Sequence, residues 1–171
     1  MERPKSNEYA PYYKTYIEKL VGNDIIKILS DQLERTTNLL KSVSEEKGNY
    51  AYTEGKWSIK EILGHIIDTE RVFSYRALCI ARREQQALPG FEQDDYVKAG
   101  HFNKSMLSSL ANNYQLVRRS NIALFNSFDE ESIGRWGTAS NNKVTVKAIM
   151  FIIAGHEEHH INILKTKYLN N

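Results

Sequence analysis

The chain has 171 residues, 41% of them hydrophobic, enough for one domain (1–171) with a buried core. Its 23 basic and 21 acidic residues leave a formal charge of +2, and no basic stripe of the kind that binds nucleic acid is visible. Cys79 is the only cysteine, so an internal disulfide is excluded and a reducing, cytoplasmic setting is expected. The polar start Met1-Glu2-Arg3-Pro4-Lys5 is unlike a signal peptide, and no apolar run is long enough for a membrane span.

The first segment, Tyr9 to Ile17, is rich in tyrosine and carries Pro11, which disfavours a long helix and reads as a strap across a bundle. Asp24 then caps a helix with the stripe Ile25, Leu29, Leu33, Leu39, Leu40 and Val43. Gln32 and Thr36 interrupt that stripe as pocket-lining or locally satisfied polar groups. A loop from about Glu45 to Trp57 leads to a capping box, Ser58 with Glu61, and a second helix with Ile59, Leu63, Ile66, Phe73 and Ala77 on its apolar face. Glu70 falls within that face. A buried carboxylate has to be paired or protonated, so Arg71, Arg76 or a side chain of another helix is expected to meet it. His65 lies at the edge of the same stripe, with Asp68 close by.

Residues Ala87 to Tyr96 read as a loop between helices, from which Asp94, Asp95 and later His101 can approach a site. A third helix is expected from about Asn103 to Phe128, with Leu107, Leu110, Tyr114, Val117, Leu124 and Phe125 as its stripe. Residues 135–145 look like a small hairpin turning at Asn141-Asn142, and Thr145 caps the last helix. Four long amphipathic helices with one long crossover connection make an all-α fold, a four-helix bundle.

The last helix carries the chemistry. Gly155-His156-Glu157-Glu158-His159-His160 holds three of the five histidines, inside an apolar run. At roughly 100° per residue, Ile149, Ile153, His156, His160, Ile163 and Leu164 share one side, Glu158 points to solvent and His159 lies on a flank. Histidines at i and i+4 on a buried face have chelate spacing. The string also matches H-E-x-x-H, the zinc-peptidase helix motif, but the eleven residues from Ile161 to Asn171 contain no histidine, aspartate or glutamate to serve as third ligand. With the third ligand upstream, His65 is the natural choice.

Taken together, Trp57-Ser58-Ile59-Lys60-Glu61-Ile62-Leu63-Gly64-His65-Ile66-Ile67-Asp68 and the later Gly155-His156-Glu157-Glu158-His159-His160 resemble the DinB superfamily, the YfiT-like metal-binding bundles. Arg3-Pro4, Glu8-Tyr9, Pro11-Tyr12-Tyr13, Pro89-Gly90-Phe91 and Thr145 add to the likeness, which covers nearly the whole chain. The resemblance implies an up-up-down-down type bundle, often a homodimer, with a metal held by His65, His156 and His160. Family members with an assigned activity include transferases using low-molecular-weight thiols such as bacillithiol or mycothiol, and thiol-dependent isomerases. Many others are described as metal-dependent hydrolases without a defined reaction.

Three neutral imidazoles leave a divalent metal with open positions for water or substrate. Zinc is the default, while nickel or iron also suit nitrogen donors. Asp68, Glu61 or a backbone carbonyl is expected to orient His65, and Glu157 is the local candidate for a base, otherwise a surface or subunit-interface carboxylate. Two function classes follow. One is a metal-dependent enzyme, a thiol transferase or hydrolase of a small electrophilic substrate. The other is a non-catalytic, metal-stabilised stress-response or binding protein. No nucleic-acid or membrane partner is expected.

Overall fold

The computed structural model describes residues 2–169. Its four long helices are α2 (Ile25–Lys41), α3 (Ile59–Ala81), α5 (Leu107–Asn126) and α7 (Val146–Ile163). Three short helices accompany them: α1 (Lys14–Ile17), α4 (Gln93–Gly100) and α6 (Glu130–Gly134). The hairpin strands are β1 (Trp136–Ala139) and β2 (Asn142–Thr145). The fold is a four-helix bundle. α2 and α3 are consecutive in the chain, yet each packs chiefly against α5 and α7, and a long crossover joins them. No helix among the described residues is long and apolar enough to cross a membrane.

Local chemistry sets the helix starts. Asp24 Oδ1 accepts from Lys27 N at 3.1 Å, and Thr145 Oγ1 accepts from Ala148 N at 3.1 Å. Ser58 and Glu61 form the expected capping box, Ser58 N donating to Glu61 Oε2 at 2.8 Å and Glu61 N to Ser58 Oγ at 3.1 Å. Three boundaries differ from the sequence reading. α4 begins at Gln93, inside the expected loop, with Asp94 and Asp95 in its first turn where acidic groups favour a helix N-terminus. α5 begins at Leu107, after a separate 3-10 turn over Phe102–Lys104. The hairpin turns at Ser140-Asn141, both with positive φ as a two-residue turn requires, so Asn142 already pairs with Ala139.

The core is split along the bundle axis. One apolar cluster gathers Ile25, Leu29, Phe73, Ile80, Phe125 and the Ile149–Ala154 run. The other gathers Leu40, Ile59, Leu63, Ile66, Leu110 and Leu164. Between them each long helix contributes polar residues: Gln32 and Thr36, Glu70, Arg118 and Asn121, and Glu157, all buried. Arg118 is the hub. Its Nε and Nη2 donate to the two oxygens of Glu70 at 2.7 and 2.8 Å, and Nη2 also pairs with Glu157. Nη1 donates to Leu29 O and Gln32 Oε1, each at 3.3 Å. Glu157 Oε1 accepts from Thr36 Oγ1 at 2.6 Å and Tyr114 OH at 2.8 Å, and Asn121 Nδ2 donates to Glu70 at 3.1 Å.

The expectation that Glu70 meets a side chain of another helix is met by Arg118; Arg71 instead pairs with Asp68 at 3.3 Å. Gln32 and Thr36 are locally satisfied members of this layer. Glu157, expected as a base or a surface carboxylate, is 1% exposed and held by Arg118, so it is not a surface carboxylate. Removing one partner of a buried charge cluster leaves the others uncompensated. Arg118→Ala is therefore expected to destabilise the fold by about 3–5 kcal/mol, read as a lowered urea midpoint, whereas Arg71→Ala at the exposed pair should cost about 1 kcal/mol or less.

Candidate metal centre

His65 on α3 and His156 and His160 on α7 come together at the polar level of the bundle. His65 Nε2 lies 2.9 Å from His156 Nε2, and His160 Nε2 lies 3.1 Å from the same atom. Among the described residues these three form the one cluster of metal-ligating side chains, with donor atoms within 4.8 Å of one another. The expected trio is thus brought together. His65, expected at the edge of the apolar face, is 3% exposed because the aromatic face of Trp57 covers it at 4.8 Å between ring centroids.

Each wall of the cluster has a local cause. The α1 strap crosses α7 at Gly155, where a Cβ would collide with the Tyr16 backbone, so only glycine permits the approach. Tyr16 then lies edge-on to His156 at 5.7 Å and against His159 at 5.2 Å. At the C-terminus a π-helical turn, Leu164–Leu169, carries Tyr168, whose hydroxyl donates to Trp57 O at 2.7 Å. The C-terminal turn thereby holds the tryptophan that covers His65. Gly155→Ala is expected to cost about 1–3 kcal/mol through this overpacking, seen as a lower melting temperature.

Neither carboxylate expected behind His65 serves it. Asp68 pairs with Arg71, and Glu61 is spent in the capping box. Thr69 Oγ1, one helical turn along, stands 3.4 Å from His65 Nδ1, placed to accept its proton and leave Nε2 with a free lone pair. Glu158, expected in solvent, is half-buried and pairs with Arg35 at 3.0 Å. His159 stays on the flank. His101 caps α4 in the left-handed region and is exposed.

The donor set fits a cation. The single lone pair on His156 Nε2 cannot accept from both neighbours, so three converging Nε2 atoms are not satisfied by hydrogen bonds alone. Two imidazole nitrogens on a tetrahedral zinc, each at 2.0–2.1 Å, stand about 3.3 Å apart, close to the 2.9 and 3.1 Å of the two pairs that include His156. Burial keeps the rings neutral, as ligands must be. It pushes His65 down to about 4, His160 down to about 3 with help from His65 and His159, and His156 well below its ordinary value. Asp68 and Glu157 stay outside the cluster, and among the described residues no other histidine, cysteine or carboxylate joins it.

A cavity of about 260 Å³ opens beside His65 and His156, lined also by Tyr13, Tyr16, Phe73 and Arg76. A second cavity touches His160, Trp57 and Asp94. The start of α4 borders both, through Glu92 and Gln93 on one side and Asp94 on the other. Of these residues the sequence reading missed Thr69, Tyr16 and Arg76 as site residues. The signal was present for two of them, since Thr69, Phe73 and Arg76 continue the helical face of His65 at i+4, i+8 and i+11.

A four-helix bundle with imidazoles converging from facing helices belongs to the class that builds metal centres between its helices. This chain belongs to the DinB superfamily, whose profile matches residues 28–164. It is similar to a protein of Oceanobacillus iheyensis whose name places it provisionally among metal-dependent hydrolases, with 26% identity over 159 residues, covering 90% of this chain and 91% of the relative. The fold is that of YfiT from Bacillus subtilis, described as a probable metal-dependent hydrolase with an unusual four-helix bundle topology. The TM-score is 0.71 at 13% identity, over 95% of this chain and 89% of YfiT. The mycothiol-dependent maleylpyruvate isomerase shares the fold with a TM-score of 0.68 at 9% identity, over 85% of this chain and 61% of that enzyme.

The depressed histidines have a consequence for metal-free protein. Their native values lie below the unfolded value near 6.5, so from about pH 6.5 down to about 3 the unfolded chain binds more protons than the native one. Stability is full above that window and falls as the pH drops through it. Urea midpoints of chelator-treated protein are expected to decline over this range, with a flatter decline in His160→Gln.

Proposed function

We propose that this chain is a metal-dependent enzyme acting on a small electrophilic substrate, as a low-molecular-weight thiol transferase or a hydrolase, with His65, His156 and His160 as the ligands of one divalent ion. The observation that carries the reading is the convergence of three neutral Nε2 atoms beside a cavity, with no carboxylate in the cluster. A divalent ion there, zinc by default and nickel or iron by donor type, would supply Lewis acidity and lower the pKa of a water or thiol at its open positions. The chain does the rest. Thr69 and Trp57 fix the ring of His65, and Tyr16 covers His156. The Arg118 layer holds the helix turn that carries His156. The small cavity, with Tyr12, Tyr13, Tyr16, Phe73 and Phe91 among its walls, suits a small substrate. The names of the relative from Oceanobacillus iheyensis and of YfiT favour the hydrolase, the thiol reaction is named only for a fold neighbour of 9% identity, and a homodimer is part of the proposal.

Metal content by mass spectrometry tests this. Wild type is expected to carry about one divalent ion per chain, lost in His65→Ala and His160→Ala. Thiol-transfer and esterase assays of the loaded form then separate the two reactions. A wild type that remains folded after chelation and takes up neither zinc nor nickel would sink the proposal. Metal uptake with no turnover in either assay would favour the non-catalytic, metal-stabilised reading.

A further inference from the structure

Three cationic side chains are buried among the described residues: Lys60, Arg76 and Arg118. Lys60 pairs with Glu45, and Arg118 with Glu70 and Glu157. Arg76, 3% exposed, has no acidic partner among the described residues. Its Nη2 donates to Pro89 O at 2.7 Å and to Ser140 Oγ at 2.9 Å, both neutral. Its Nε is one of only two buried side-chain polar atoms, among the described residues, with no hydrogen-bond partner. The rings of Phe73 and Phe91 lie 4.8 and 5.8 Å from the guanidinium, which offsets part of the desolvation but supplies no acceptor.

A buried cation without an anion is unfavourable, and native structures rarely leave one without a reason. Arg76 lines the same cavity as His65 and His156. It sits on the His65 face of α3, about three turns or 16 Å further along the helix. Helical side chains lean toward the N-terminus, and the guanidinium over Phe73, three residues back, conforms to this. The cavity therefore has His65 and His156 of the cluster on one side and an unpaired cation further along α3. Glu92 is the acidic residue on its rim, but it is exposed and makes no ion pair with Arg76.

We propose that Arg76 is the anion subsite of this cavity and that the substrate is a small molecule bearing a carboxylate, which binds Arg76 while its reactive group faces the three histidines. The proposal rests on the metal-site reading for the second half only. A carboxylate rather than a phosphate is assigned because one guanidinium, already using Nη2 on neutral partners, matches a single negative charge. The aromatic walls between the two ends fit an apolar or unsaturated spacer. Arg76 also ties the Pro89 loop to the hairpin turn, so its removal will lower stability. The readout must therefore be one that a purely structural role would not move.

That readout is a ratio. The zinc-loaded full chain is titrated calorimetrically with ω-mercaptoalkanoates of graded chain length and with the matched neutral mercaptoalkanols, in wild type, Arg76→Gln and Arg76→Lys. At the length that spans the cavity, wild type is expected to bind the acid about tenfold or more tighter than the alcohol. The ratio should fall to about one in Arg76→Gln and be partly restored in Arg76→Lys, with the alcohols bound alike by all three. No acid preference in wild type at any length, or one that survives in Arg76→Gln, overturns the proposal. Stronger competition by inorganic phosphate than by acetate overturns the carboxylate assignment. If the chain takes up no zinc, the metal reading fails separately. The subsite is then read in the metal-free chain as a benzoate-induced rise in melting temperature, present in wild type and absent in Arg76→Gln, and its absence in wild type overturns the subsite.

Discussion

The placement of every element around the site depends on one buried guanidinium. Arg118 reaches from α5 to Glu70 on α3, to Glu157 on α7 and to Gln32 and the Leu29 carbonyl on α2. Four helices thus meet at one cation whose partners allow little rotation or sliding. Apolar side chains pack in many ways at similar cost, but a bidentate ion pair in a low-dielectric interior has few alternatives. The layer therefore fixes the register of the two apolar clusters on either side of it. Burial acts to lower the pKa of Arg118, but Glu157, Glu70 and Tyr114 raise it further, so it remains a fixed charge.

The site follows from that register. Glu157 and His156 are neighbours on α7, about 100° apart around the helix. When Glu157 is locked toward Arg118, His156 must face α3, and His160 one turn on faces the same way. Glu70 lies about 140° around α3 from His65. With Glu70 turned to Arg118, His65 faces away from that pair, and the pairing that holds the helices together also aims the three imidazoles at one another. Around this centre the chain adds pieces that have little core of their own. The α1 strap is admitted by Gly155, Trp57 by the C-terminal turn, and the start of α4 borders both cavities.

Much of this was legible in the chain. The caps at Asp24, Ser58 and Thr145 are local chemistry, in which a side chain and a backbone N–H three residues on are enough to start a helix. The i, i+4 spacing of His156 and His160 is likewise a local fact, and His65 followed once the C-terminal residues offered no ligand. Boundaries set by weaker signals were less legible. The acidic residues Asp94 and Asp95 read as loop because their helix-favouring position depends on where the helix begins, and the hairpin turn shifted by one residue because Ser140 and Asn141 tolerate positive φ together.

The roles of the buried charges were not legible. Arg118 falls on the stripe of Tyr114 and Phe125 while Arg119 beside it is exposed, a local signal that the sequence reading did not use. Glu70 was conspicuous on an apolar face, yet its partner lies 48 residues away on another helix. Glu157 read as base or surface for the same reason. The sequence by itself determined the helices, their apolar faces, the capping and the pair of histidines on one face, because these depend on residues within a turn or two of one another. Only the tertiary structure decided which charges pair, that Arg76 is left without an acid, and that three imidazoles meet at one point. Burial and electrostatic pairing are properties of the space between helices, and that space exists only once they have packed.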